Sequence, residues 1–403
     1  MNTPARDSLL SGQFGVCLGV LAVACLPLGI LWDTSWHLSI GRDTFWSPPH
    51  IAVYLRGVIP ALLSAWQAAK TTFKGTSEER AASVRFWGGR ASFGAWVTIW
   101  GALTMLTSAP FDDWWHSTYG LDVKILSVPH AVLGIGMFAV TLGVLLSVLS
   151  WQNRTVGDRP APFLLFVLAS GVMVTLLSFY VTEFTWPNQQ HSAKFYQVIS
   201  FFYPFLFVAI ARASKLRWAA TLATLIYMGL MMGLVWVLPF FPAQPKLAPI
   251  YNPVDHMVPP PFPMLMVVPA LAIDLLMRVI GKAEIALVEA AGISKSDRRR
   301  WWKRGWARDW LRAIAVGTTF LILALAVQWF FAKFLLSPAA DNWFFVGNRY
   351  WAYFTQPGEW RRQFFDLDTD PLTIGSLVWA VVVAVVSARF GLWCGNWLLK
   401  VKR

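Results

Sequence analysis

The 403-residue chain is 56% hydrophobic and only 14% charged, with a formal net charge of +13 at pH 7. Soluble globular chains carry about 25% charged residues, so this one has too few polar residues to face water on every side. Its basic excess fits lysine and arginine gathered on one side of a membrane better than a nucleic-acid partner. Cys17, Cys25 and Cys394 all fall in apolar runs and build no disulfide framework.

Apolar runs of about 20 residues match the hydrocarbon thickness of a bilayer. In lipid the backbone must satisfy its own hydrogen bonds, so these runs read as helices. The alternating pattern of a transmembrane barrel is absent. Ten spans are expected, near 12–32, 50–69, 91–110, 127–150, 162–182, 195–211, 218–239, 262–280, 311–336 and 372–397. The first run is followed directly by Asp33 and His37 rather than by a small-residue cleavage site, so it reads as a span and not as a signal peptide. The fold class is therefore an all-α integral membrane protein of about ten helices. A four-helix unit at 1–160 precedes a six-helix unit at 161–403.

Most of the 34 lysines and arginines fall in 1–11, 70–90, 151–161, 212–217, 278–312 and 398–403. By the positive-inside rule these segments, with both termini, belong in the cytoplasm. All six histidines then lie on or next to the external face, the periplasm if the membrane is a bacterial inner membrane. The loop 281–310 interleaves basic and aromatic residues (SKSDRRRWWKRGWARDW) and suits a surface helix on an anionic leaflet, not nucleic acid. The segment 341–365 is rich in Trp, Tyr and Phe and reads as an interfacial element. The loop 240–263 is proline-rich and so non-helical.

Two stretches between spans carry the chemistry. The first, DTSWHLSIGRDTFWSPPH at 33–50, holds Asp33, His37 and His50; the second, DDWWHSTYGLDVKILSVPH at 112–130, holds Asp112, His116 and His130. Each reads D-x3-H with a further histidine after twelve or thirteen intervening residues. Positions i and i+4 share one helix face. A proline then introduces the next helix, with His50 or His130 at its start. Two ligands from one helix end and one from the next helix start make a three-ligand site with an open position. Imidazole with carboxylate suits copper, zinc, iron or nickel, and the external face favours copper, with zinc as the alternative. The competing reading is solvated helix ends, caps or metal-free ion pairs. Asp43, Asp122 and Asp113 are candidate partners behind the imidazoles. Glu183 with His191, and Asp255 with His256, are weaker candidates, joining a site only if their loops fold over it. Trp36, Trp114 and Trp115 are either pocket walls or interfacial anchors.

The first stretch resembles the copper-binding segment of the C subunit of the copper membrane monooxygenases, the family of particulate methane and ammonia monooxygenases. Arg42-Asp43-Thr44 and Pro48-Pro49-His50 match that segment in order and spacing. The resemblance covers roughly 30–150 and implies that Asp33, His37 and His50 bind one copper. It also implies a second set at Asp112, His116 and His130, with aspartate where the family has asparagine. FP-x4-VPA-x3-D at 262–274 is similar to a transmembrane segment of the family's A subunit. The chain is longer than the C subunits and has nothing like the B subunit's cupredoxin domains. The resemblance implies oxidation of a small apolar or ammonia-like substrate with dioxygen. A quinol or other reductant, a cupredoxin-like or other membrane subunit, and an oligomer are the expected partners. The alternatives are metal transport or delivery, a zinc-dependent membrane hydrolase with Asp43 or Glu183 as base, and bis-histidine haem at His50 and His130.

Overall fold

In the computed structural model, residues 3–41, 44, 46–120, 127–155, 157, 160–247, 254–290, 305–340, 342–345 and 370–403 are described, with only the backbone at 3–12, 26, 56, 183 and 287–289. The protein is mostly helical. Eight helical stretches among the described residues are long and apolar enough to cross a membrane: Gln13–Ser39, Pro48–Lys74, Val128–Arg154, Pro160–Phe179, Ala193–Ala213, Ala219–Phe240, Gly305–Leu335 and Ile374–Leu398. The other two expected spans, 91–110 and 262–280, fall in helices that are long enough but less apolar. One carries several Trp, Thr and Ser residues; the other carries Asp274, Arg278, Lys282 and Glu284.

The chain forms two compact units. Unit 1 comprises Met1–Leu177, Pro245–Pro249 and Lys400–Arg403; unit 2 comprises Ser178–Gln244 and Ile250–Leu399. In unit 1, helix α1 (Thr3–Ala24) gives way at Cys25 to α2 (Leu26–Ser39). Pro27, in the first turn of α2, has no N–H to continue the ladder of the preceding helix. Helix α2 persists past Asp33 and His37, the condition for both to share a face.

Helix α3 (Pro48–Lys74) leads into a short helix α4 (Ser77–Ala81), held by a reciprocal cap between Thr76 and Glu79. A small antiparallel ribbon follows, β1 (Val84–Phe86) with β2 (Gly89–Ala91). The Thr72 hydroxyl ties it to α3 by accepting the Arg90 N–H at 2.7 Å. Helix α5 (Phe93–Tyr119) and helix α6 (Val128–Arg154) then make the most extensive helix pair in the unit, and α7 (Pro160–Phe179) follows.

The α5–α6 contact is set by small residues. A Cβ on Gly101 would lie 2.8 Å from the Gly136 carbonyl oxygen, and one on Gly143 would lie 2.6 Å from the Gly94 carbonyl oxygen. Backbones this close require glycine on both helices, the device by which small residues pack helices in lipid. Gly94 and Gly101, like Gly136 and Gly143, are seven residues apart, two turns on one helix face.

Unit 2 contains α8 (Ala193–Ala213), α9 (Ala219–Val237), α10 (Val267–Ala290), α11 (Gly305–Leu335) and α12 (Ile374–Leu398). Helix α12 packs along α8 and α11. The buried Ser387 hydroxyl donates to the Phe201 carbonyl at 2.6 Å and accepts the Phe205 N–H at 2.9 Å, where Pro204 interrupts the α8 ladder. Asp274 on α10 accepts from the Thr221 N–H at 2.8 Å and the Thr221 hydroxyl at 2.7 Å, holding the start of α9.

Candidate metal centres

Both D-x3-H pairs lie on helices, one turn apart, at the C-terminal ends of α2 and α5. Both second histidines stand in the first turn of the next helix. Pro48 and Pro49 open α3, and Pro129 opens α6, at positions where a missing N–H has no cost. Ser127 caps α6 by accepting the His130 N–H at 3.3 Å. Ser47 occupies the same position before His50 but accepts instead from the Thr44 N–H at 2.7 Å, bracing the incoming loop.

In the first centre, His37 Nε2 lies 3.8 Å from Asp33 Oδ2 and His50 Nε2 lies 3.3 Å from Asp33 Oδ1. In the second, His116 Nε2 and His130 Nε2 lie 3.4 and 3.5 Å from the same oxygen, Asp112 Oδ1. One donor atom from each of Asp112, His116 and His130 falls within 4.8 Å of the others.

These separations are longer than a charge-assisted hydrogen bond. A charge-assisted N–H···O bond closes to about 2.7–2.9 Å. The Asp255–His256 pair of the same protein does so, at 2.6 Å. Two ligands held at about 2.0–2.1 Å from a tetrahedral ion stand about 3.3 Å apart. The two separations in the second set match that spacing, so its nitrogen and oxygen donors fit a divalent ion. Among the described residues only this set brings one donor atom of each residue within 4.8 Å of the others, and in the first His37 stands farther off, at 3.8 Å. The side chains are half-buried, from 21% exposed at His50 to 48% at His37, which leaves each centre an open side.

Gly120 fixes the second centre from behind. Its carbonyl accepts from His116 Nδ1 at 3.2 Å, and its N–H donates to the His116 carbonyl at 3.1 Å. An Nδ1–H donor leaves the Nε2 lone pair as the ligand. Gly120 has φ +87 and ψ −174, a region essentially restricted to glycine.

An apolar pocket of about 440 Å³ lies between α3 and α5. Its wall on α3 includes Tyr54, Val58, Ala61 and Ala65, the face that His50 begins. The His50 and Tyr54 rings are 6.2 Å apart, centre to centre. Its wall on α5 includes Ala102, Met105 and Ala109, and Asp112 follows Ala109 on that face. Trp46 and Pro110 also line it, while Leu62 and Leu106 in its lining are 64% and 58% exposed.

Among the other expected site residues, Asp43 and Asp122 lie outside the described residues. Asp113 is exposed, on the face of α5 next to that of Asp112. Trp114 is 53% exposed, and the Trp115 ring packs 4.6 Å from Tyr119, as an interfacial aromatic group does. Glu183, His191, Asp255 and His256 belong to unit 2, and the two centres to unit 1. The Glu183 side chain is not among those described. His191 is 5% exposed and donates from Nε2 to the Trp329 carbonyl at 3.0 Å. Burial lowers its pKa below the usual imidazole value; the Trp329 carbonyl opposes that shift and the nearby Lys333 charge adds to it.

Sequence reasoning had not singled out Ser127, Gly120, Tyr54 or the paired glycines. The recurrence of Ser-x-Pro-His at 47–50 and 127–130, and of Gly-x6-Gly at 94–101 and 136–143, is the signal for two of these. In comparisons with family models, curated proteins and solved structures, nothing matches this chain.

Proposed function

We propose that this chain is a membrane copper protein of the monooxygenase type, oxidising a small apolar or ammonia-like substrate at the centres of unit 1. One observation carries the reading: Asp112, His116 and His130 stand at ligand spacing at the end of α5, the helix that with α3 walls an apolar pocket, and Asp33, His37 and His50 recur in the same helical frame. The likeness of 33–50 to the copper-binding segment of that family supplies the metal and the reaction. All ten expected helices cross the bilayer in this reading, with both termini cytoplasmic and the centres towards the external face.

When bound, copper supplies one-electron redox chemistry and an open coordination position. The protein's own residues do the rest. Asp33 and Asp112 each hold two imidazoles in a fixed relation and offset the charge of the ion. Gly120 keeps His116 in the tautomer that presents Nε2. The α3–α5 walls exclude water and admit an apolar molecule from the lipid side. In the overall reaction one oxygen atom of dioxygen enters the substrate and the other leaves as water. Two electrons and two protons come from a reductant such as a quinol, which leaves as the quinone. A cupredoxin-like or other membrane subunit would deliver those electrons in an oligomer.

The test is copper loading of the purified chain, EPR, and oxygen consumption with a quinol and a short hydrocarbon or ammonia. Nitrogen hyperfine structure on the copper signal with substrate-dependent oxygen uptake is the expected result. Zinc as the sole bound metal, or haem absorbance, would overturn the copper assignment. Copper bound with no oxygen uptake, even with membrane extract added, would overturn the monooxygenase assignment and favour metal delivery.

A further inference from the structure

Unit 2 contains a second buried polar feature, separate from the metal centres. The inward face of α8 carries Tyr196, Ser200 and Tyr203, all at most 1% exposed. They are spaced four and three residues apart, so one lies below another on a single face. The Tyr203 hydroxyl meets Ser178 at 3.0 Å and Tyr227 of α9 at 3.4 Å. From Tyr227, α9 continues through buried Thr224, whose hydroxyl donates to the Ala220 carbonyl at 2.7 Å, to half-buried Thr221, whose hydroxyl donates to Asp274. At the other end stands His191, in the turn that starts α8.

Several of these groups have a buried polar atom with no hydrogen-bond partner among the described residues. Tyr196 Oη, Ser200 Oγ and His191 Nδ1 accept or donate no hydrogen bond among the described residues. Polar atoms in an apolar interior are costly unless water reaches them, and buried water gathers where two to four such atoms converge. The stretch of α8 from Ala193 to Tyr203 rises about 15 Å, and that of α9 from Tyr227 back to Thr221 about 9 Å. Run end to end they cover most of a hydrocarbon layer of about 30 Å.

We propose that unit 2 conducts protons along this hydrated line of hydroxyls, between His191 at one membrane surface and Asp274 near the other. A hydroxyl both donates and accepts, so a proton hops along such a chain without any group becoming charged for long. The proposal is independent of the copper reading.

The experiment reconstitutes the full chain in vesicles containing a pH-sensitive dye and imposes a potassium diffusion potential. The expected result is proton flux at least about tenfold above protein-free vesicles. Tyr203→Phe, which keeps the ring and removes the shared hydroxyl, should return it to the protein-free rate. Thr175→Val, whose hydroxyl bonds only within its own helix at 2.9 Å, should retain it. If Tyr203→Phe does not fold, Ser200→Ala serves, with the same expected loss. Wild-type flux no greater than that of empty vesicles, or full flux in the folded hydroxyl variant, would overturn the proposal.

Discussion

The hairpins α2–α3 and α5–α6 carry the same donor set in the same frame, yet they are built differently. In the second, both imidazoles converge on one carboxylate oxygen; in the first, they take opposite oxygens of Asp33. The second hairpin is closed by glycines on both helices, and its helices pack far more extensively than α2 and α3 do. It also has a carbonyl behind one imidazole. The first has a more exposed His37, and its His50 opens onto the face that lines the apolar pocket. Rigid pre-organisation raises affinity because less order is lost on binding. On the proposed reading, the second centre would hold metal more tightly and the first would be the more accessible.

Removing a ligand should have the largest effect. His130→Ala should lower affinity at the second centre by more than about 100-fold, since changes behind the ligands alone cost about 10- to 100-fold. It should leave the first centre intact, and His50→Ala should do the reverse. Isothermal titration with copper after chelation reads both, and loss at both centres in either variant would show that they are not separate.

The scaffold comes next. Gly136→Val should push α5 and α6 apart, because even its Cβ would approach the Gly101 carbonyl oxygen to 2.8 Å. A cost of about 3 kcal/mol should appear as a lowered melting temperature, with metal lost from the second centre only. An unchanged melting temperature would mean that the hairpin is not held by this contact.

Gly120→Ala should have a smaller effect. Alanine is strained at φ +87, by about 1–3 kcal/mol. The loss should appear as up to about 100-fold weaker metal binding at the second centre, with the first unchanged. Equal weakening at both would contradict a local role for the carbonyl.

The smallest expected effect lies in unit 2. The folded-state pKa of His191 is lowered, so the unfolded chain takes up its proton first as pH falls. The stability held by neutral His191 is complete above about pH 6.5 and is lost as pH falls toward the lowered folded value. His191→Gln should flatten the melting temperature over that range while leaving metal binding unchanged. A pH profile identical to that of the wild type would remove His191 as its cause.

Much of the framework was legible because it depends on local periodicity. D-x3-H on a helix must put Asp33 beside His37 and Asp112 beside His116, and a proline before His50 and His130 must start a helix there. Apolar runs likewise marked every long helix, although α5 and α10 are polar enough to fall short as spans on composition alone. The division between α1 and α2 at Cys25 was not foreseen, since Pro27 sits inside a uniformly apolar run. Tertiary contacts were hidden. Nothing local ties Gly101 to Gly136, and nothing local shows that Tyr203 of α8 meets Tyr227 of α9. Gly120 carried no signal of its own in the sequence, and its hold on the His116 imidazole depends on the fold of the turn.

The most direct test of the two-centre arrangement is metal stoichiometry of the purified, copper-loaded protein, with EPR, beside His50→Ala, His130→Ala and the double variant. Two coppers per chain, one in each single variant and none in the double variant, with imidazole nitrogen coupling in each occupied centre, is the expected result. Full copper content in the double variant would contradict it.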